Sequence, residues 1–218
     1  MFNFIKVLFS PIIAILDFIT KYFKTIVFLT IIYFLVIDKN ENLVDTNSSK
    51  ANLQKIELFG PILDVSNTLE EIQKAKIDEN IKGVLFVVNS PGGSVAPSVE
   101  LAYAIKELTV VKPVVVYASG VMASGSYYAS IWANKIIANP GSMVGSIGVI
   151  MQGINAEELM SKIGISTQTV KAGKYKESGT PSRKWFDYEE KELQSVINDT
   201  YQMFISDVAN ARKLNVTE

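Results

Sequence analysis

The sequence contains no histidine and no cysteine, and these two absences exclude more chemistry than its length does. Without histidine there is no Ser-His-Asp triad, no Cys-His pair and no imidazole metal site. Without cysteine there is no thiol nucleophile, no thiolate zinc site and no disulfide, although the missing disulfide does not fix a redox compartment. An excess of either charge is lacking too. Lys+Arg 21 against Asp+Glu 22 leaves a net charge of -1, which argues against a nucleic-acid footprint. At 218 residues the chain suits one domain with little room for a second. A hydrolase built from it must move its proton with a carboxylate, a tyrosine, an amine or a metal-bound water. No ligand cluster supports a metal and nothing resembles a nucleotide loop, so neither metal nor cofactor is expected.

What is present begins with an apolar N-terminus. Residues 22–37 carry a single charge, Lys24, which can snorkel to lipid headgroups. At 1.5 Å per residue this run spans about 24 Å, slightly short of the roughly 30 Å hydrocarbon core, so local thinning of the bilayer is expected. The earlier apolar residues, interrupted by Lys6, Asp17 and Lys21, could form an interfacial amphipathic helix. Lys6, Lys21 and Lys24 precede the run, whereas Asp38, Lys39, Glu41 and Asp45 follow it. The positive-inside rule then keeps the N-terminus cytoplasmic and sends the rest across. No small-residue cleavage site follows at Val36-Ile37-Asp38, so the segment reads as an uncleaved single-pass anchor, with a buried core helix as the alternative.

Residues 38–52 are polar and read as a linker to a domain over 53–218. Gly83-Val84-Leu85-Phe86-Val87-Val88 is a continuous apolar run, as expected of a strand buried on both faces. Pro113 to Ala118 is a second, Val144 to Met151 a third, and Lys135 to Ala138 a shorter one. Helical patterns lie between them at 68–77, 98–108 and 122–133. Alternating strands and helices imply an α/β domain with a largely parallel sheet. Residues 187–213 form a long helical pattern whose stripe of Leu193, Val196, Ile197, Tyr201, Phe204, Ile205 and Val208 packs on the domain or on another subunit.

Two strand-to-helix junctions could carry chemistry. Asn89-Ser90-Pro91-Gly92-Gly93-Ser94 closes the first buried strand. Paired glycines there let backbone N–H groups approach a ligand, as in an oxyanion hole, although such a turn can be simply a turn. The second junction runs from Ala118 through Ser119, Ser124, Gly125 and Ser126 to Tyr128. A serine there would sit at a helix N-terminus, where the dipole stabilises developing negative charge. Helix capping by Ser119 or Ser124 is the competing account.

A serine nucleophile needs a base, and lysine is the usual substitute for histidine. Near an ordinary pKa of 10.4, only about 4 in 10,000 lysines are neutral at pH 7. Lowering that value to near 7 costs about 4 kcal/mol, supplied by desolvation. Val170 to Gly179 offers Lys171, Lys174 and Lys176, which could equally be a solvated basic loop.

Together these elements resemble the signal peptide peptidase A family of membrane-anchored Ser-Lys proteases, which has a Clp protease/crotonase-like fold. The resemblance runs from about Lys55 to Lys213. It rests on four ordered motifs: Asn89-Ser90-Pro91-Gly92-Gly93, Ala123-Ser124-Gly125-x-Tyr127-Tyr128, Gly145-Ser146-Ile147-Gly148-Val149 and Gly173-Lys174-Tyr175-Lys176. It implies Ser124 as nucleophile, Lys176 as general base, and the backbone N–H groups of Gly93 and Gly125 as the oxyanion hole. Gly92 and Tyr127 would line the substrate site. Lys174 would face solvent, and Ser142 and Ser146 would cap or pack. The implied activity is endopeptidase cleavage of hydrophobic peptides such as cleaved signal peptides. The implied setting is the inner (cytoplasmic) membrane with an extracytoplasmic catalytic domain. The implied assembly is a homo-oligomer whose active sites are shared between subunits.

Two departures qualify the match. Ser126 stands where the family usually has glycine, adding a hydroxyl beside the nucleophile. Single-domain relatives also continue past a point like Glu218, which leaves a C-terminal truncation open. The same motifs fit a protease acting on one membrane-protein partner, or an inactive scaffold that binds peptides.

Overall fold

A computed structural model describes residues 17–25, 27–33 and 52–216. The chain divides into two units, Met1–Lys50 and Ala51–Glu218. In the first, residues 17–25 and 27–33 are helical and their apolar side chains are exposed, Phe18, Phe23, Phe28 and Tyr33 among them. The remainder of the expected 22–37 span, residues 26 and 34–37, lies outside the described residues, as does most of the expected linker. Among the described residues no helix is long and apolar enough to cross a membrane.

The second unit is built on a parallel sheet, as the alternating pattern implies. Its strands are β1 (Leu53–Phe59), β2 (Gly83–Ser90), β3 (Val114–Ala123), β4 (Lys135–Ala138) and β5 (Met143–Gly145). The order is β1-β2-β3-β4, with β5 also pairing β3, and every pairing is parallel. The helices are α1 (Ser66–Ile77), α2 (Val95–Val111), α3 (Gly125–Ser130), α4 (Glu157–Lys162) and α5 (Asp187–Arg212). Apolar β-branched residues of β2 and β3, with Ile56 and Leu58 of β1, meet Ile72 of α1 and Leu101, Ile105 and Leu108 of α2 in the main core. Removing this surface from water stabilises the fold by roughly 1.5–3 kcal/mol per fully buried large side chain. A second cluster joins Ala102, Tyr128 and Ile131 to Phe204 and Val208, and so seats α5 against α2 and α3.

Local chemistry sets the element ends. The Asp64 carboxylate accepts the Ser66 N–H (2.9 Å) and opens α1. α2 stops where Lys112, extended because Pro113 follows it, takes a β conformation. Two elements are additions and two expectations shift. β1 and α4 had no strong periodic signal. The strand expected over Val144 to Met151 shortens to β5 because Ser146 turns into the left-handed region (φ 53), and residues 146–156 continue without regular structure. The helix expected from Met122 shortens to α3 because β3 runs on to Ala123 and Ser124 breaks the chain direction.

Candidate active site

In a parallel sheet the carboxyl ends of the strands and the helix starts beyond them form one edge, the usual place for a ligand. Both expected junctions lie there. The first begins at Asn89, whose side-chain oxygen accepts the Val121 N–H (2.9 Å) and lies where a Cβ on Gly120 would fall. The pairing jumps in register between Val88 and Ser90, so that Ser90 faces Met122. The Ser90 hydroxyl accepts the Gly92 N–H (3.2 Å) and fixes the turn.

Both glycines of that turn are obligatory. Gly92 has φ +88, and a Cβ on it would come within 2.6 Å of the Gly125 nitrogen. A Cβ on Gly93 would strike the Ile62 carbonyl oxygen at 2.1 Å. Ile62 donates to the Gly92 carbonyl (2.9 Å) and accepts the Ser94 N–H (2.8 Å), the pattern of a parallel bridge centred on Gly93. Such a bridge turns the Gly93 N–H to the opposite side. That N–H makes no hydrogen bond with another described residue. A Cβ on Gly125 would lie 3.3 Å from the Gly93 nitrogen, so the two backbones converge.

Ser124 sits between β3 and α3 with φ 53 and ψ -122, a conformation unusual for a non-glycine residue. It is held there from both sides. Its N–H donates to the Gly145 carbonyl (2.8 Å), and its carbonyl accepts the Tyr128 N–H (2.9 Å) as the first helical bond. Its side chain makes no cap hydrogen bond to α3, so the capping account leaves it unexplained. Ser119 instead donates to the Val88 carbonyl (3.2 Å). Ser126 is fully buried and its hydroxyl is committed to the carbonyls of Ser90 (2.7 Å) and Ala123 (3.0 Å). The additional hydroxyl beside Ser124 therefore ties the two junctions together.

Ser124, Gly93 and Gly125 line a pocket of about 460 Å³ whose other walls are mainly apolar. Val95, Val99 and Ser98 come from α2, Ser146 to Ile150 from the segment after β5, and Thr200, Met203 and Phe204 from α5. Tyr128 lines it as well, whereas Tyr127 packs against the two cores and does not. The Tyr128 ring meets Phe204 edge-on at 5.0 Å and its hydroxyl donates to Asp207 of α5. Burial, reinforced by that carboxylate, pushes the Tyr128 hydroxyl pKa up. Ser142 donates to the Ala118 carbonyl (2.8 Å). The pocket residues Ser98, Thr200 and Met203 carried no distinctive sequence signal, whereas Ser146 belongs to the third motif, where capping or packing was expected of it, and Phe204 to the expected stripe of α5.

Lys176 is not brought to this pocket within one chain. It is exposed on the turn after Gly173, to whose carbonyl its own N–H donates (3.3 Å). Lys174 lies over the rings of Tyr175 (5.1 Å) and Tyr188 (4.9 Å). Close by, the Ser178 hydroxyl is buried with no partner among the described residues. Lys171 (2.8 Å) and Arg183 (3.1 Å) pair with Glu177, and Arg183 grips Glu189 through both carboxylate oxygens (2.8 and 2.9 Å). Hydrogen bonds from Arg183 and then the Phe186 N–H hold the Glu189 carboxyl down to about 2 despite its burial. Lys171 and Arg183 likewise lower Glu177. Among the described residues no group of three acidic side chains is placed to hold a metal ion.

The model of peptidase family S49 matches residues 106–218, just over half of the 218 residues. A protein of Methanocaldococcus jannaschii named as a protease is 47% identical over 150 residues, covering 69% of this chain and 47% of the relative. A protein of Enterococcus faecium named as signal peptide peptidase SppA is 32% identical over 192 residues, covering 80% and 55%. Protease 4 of Salmonella typhi is 35% identical over 147 residues, covering 67% and 24%. The chain thus spans about half the length, or less, of these relatives. Among solved structures, ClpP1 of Listeria monocytogenes is 14% identical with a TM-score of 0.44, each chain being covered to 75%.

Proposed function

The chain belongs to peptidase family S49, and from that premise we propose that it is a membrane-anchored serine endopeptidase working through a Ser124-Lys176 dyad. The observation that carries the reading is the Ser124 turn. A serine hydroxyl with no hydrogen bond to another described residue stands at a helix start, in a pocket that it shares with the Gly93 N–H, likewise unpaired among the described residues.

In this mechanism the neutral Lys176 amine takes the Ser124 proton and the alkoxide attacks a peptide carbonyl. The N–H groups of Gly93 and Gly125 receive the oxyanion, and donors already in place act without reorganisation. Collapse of the tetrahedral species releases the amine product, protonated by Lys176, and leaves an acyl-enzyme. Lys176 then activates water to release the acid.

Because Lys176 stands away from Ser124 in its own chain, the base is assigned to an adjacent subunit of a homo-oligomer. Exposed Ile150, Met151, Ile154, Ile163, Ile165 and Val170 support such an assembly, since they would otherwise leave a large apolar strip in water. The apolar pocket walls, which Tyr128 joins beside Gly93 and Gly125, favour hydrophobic peptides such as signal-peptide remnants, although Gly92, expected to line the site, is not among the pocket residues. Exposed apolar side chains on residues 17–25 and 27–33, with the basic-before, acidic-after flanks, favour an inner-membrane anchor and an extracytoplasmic catalytic domain.

The test uses the full chain in detergent or vesicles. Ser124→Ala and Lys176→Ala should each reduce hydrolysis of an apolar peptide to background with circular dichroism unchanged. A fluorophosphonate probe should label the wild-type protein at Ser124. Undiminished turnover in either variant overturns the dyad, and absence of labelling favours a peptide-binding scaffold.

A further inference from the structure

The residue immediately after the proposed base is a carboxylate, Glu177, and a free carboxylate beside an amine tends to pair with it and hold it protonated. The structure gives Glu177 other partners. Its Oε2 accepts from Lys171 Nζ at 2.8 Å and from Arg183 at 3.1 Å, and its side chain is 18% exposed. Arg183 is itself fixed by its two-point contact with Glu189, which is wholly buried and also accepts the Phe186 N–H at 2.9 Å. The turn carrying Lys176 is therefore moored to the first turn of α5, the helix whose later residues Thr200, Met203 and Phe204 wall the pocket. Two cations and two anions close the network without net charge. Lys176 has no ion pair with any described residue.

We propose that Lys171 and Arg183 are positioning residues for the base, sequestering Glu177 so that the Lys176 amine stays unpaired and aimed away from its own chain. This rests on the assignment of Lys176 as the base. The charged groups that act on Glu177 are Lys171 of the same loop and Arg183 before α5, which Glu189 of α5 holds in turn. Tyr175 and Tyr188 flank Lys174. Lys171 is the member to remove. Loss of Arg183 would strand the buried Glu189 charge and threaten folding, whereas the Lys171 side chain is 29% exposed. Without it Glu177 is half released and can turn to Lys176.

The experiment is the pH dependence of kcat/KM for an apolar fluorogenic peptide, from about pH 6 to 10, with the full chain. Lys171→Met, which retains the apolar stem, should move the acid limb up by about one pH unit. With the base near 7, activity at pH 7 then falls about fivefold while the alkaline plateau stays at the wild-type level. Adding Glu177→Gln to Lys171→Met should return the limb to its wild-type position, because the carboxylate that captures the amine is gone. A merely structural role for Lys171 would lower the plateau and leave the limb in place. An unmoved limb in Lys171→Met, or a shift that persists in the double variant, overturns the proposal. Should Lys171→Met fail to fold, Lys171→Gln and its Glu177→Gln double carry the same two outcomes. Turnover persisting in Lys176→Ala would instead remove the base assignment itself, which separates the two failures.

Discussion

Ser124 and Ser126 differ by two positions and by everything that surrounds them. A non-glycine residue held at φ 53 and ψ -122 costs about 1–3 kcal/mol, and it persists only where neighbours over-determine it. At Ser124 the Gly145 carbonyl and the start of α3 do so, and the hydroxyl is left without structural work. Ser126 has the opposite assignment, a buried hydroxyl shared between two carbonyls. Ser126→Ala should therefore lower stability by about 1–2 kcal/mol, read from urea unfolding, while fluorophosphonate labelling of Ser124 continues. Loss of labelling with full stability would reverse the roles. Both serines and the paired glycines were legible as a motif, but which serine was free was not. That distinction depends on Ser90, 36 residues away, turning its carbonyl toward one of them. Tyr127 and Tyr128 show the same limit. Adjacent helical residues face different neighbours, and only the docking of Phe204 turns Tyr128 into the pocket wall.

At the scale of elements, α5 does the most with the least sequence signal. Its apolar stripe was readable, and its Phe204 and Val208 bury as that stripe requires. Its start was not readable as an anchor, because Phe186 at the N-cap has no side-chain acceptor. The cap comes from Glu189 reaching back to the Phe186 N–H while Arg183 neutralises it. A carboxyl held at about 2 in the folded chain, against an ordinary 4.5, stabilises the fold at pH values above that ordinary value. This contribution is lost as pH falls from about 4.5 toward about 2. Thermal midpoints measured across that window should fall for the wild type. Glu189→Gln should start lower at neutral pH and converge with the wild type toward pH 2. Parallel curves for the two proteins would show that the Arg183-Glu189 pair carries no pH-dependent stability. The shortened strand after Val144 belongs to the same scale. Its apolar residues read as a buried strand, yet within one chain no neighbouring strand pairs with the stretch after Gly145 among the described residues, so it stays without regular structure and largely exposed.

At the scale of the whole molecule, alternation of apolar runs and helical stripes was enough to indicate a parallel α/β domain, because β1, β2 and β3 bury their apolar residues inside their own chain. The same logic fails for residues 146–170. Most of their large apolar side chains are exposed in one chain, and a single sequence does not say whether the covering surface is another copy. The division of the proposed dyad makes that question measurable. If Ser124 of one subunit works with Lys176 of the next, two dead proteins can complement each other. Mixing Ser124→Ala with Lys176→Ala in equal amounts, with subunit exchange, places an intact serine beside an intact neighbouring lysine at about one site in four. Recovered kcat should approach about a quarter of the wild-type value at saturating peptide, with KM unchanged. Each variant alone, and a mixture kept from exchanging by cross-linking beforehand, should remain at background. A mixture that stays inactive although exchange is demonstrated by fluorescence transfer between labelled subunits would place both residues of each site in one chain. The turn carrying Lys176 would then have to fold back onto the pocket, breaking its ties through Glu177 and Arg183 to the start of α5.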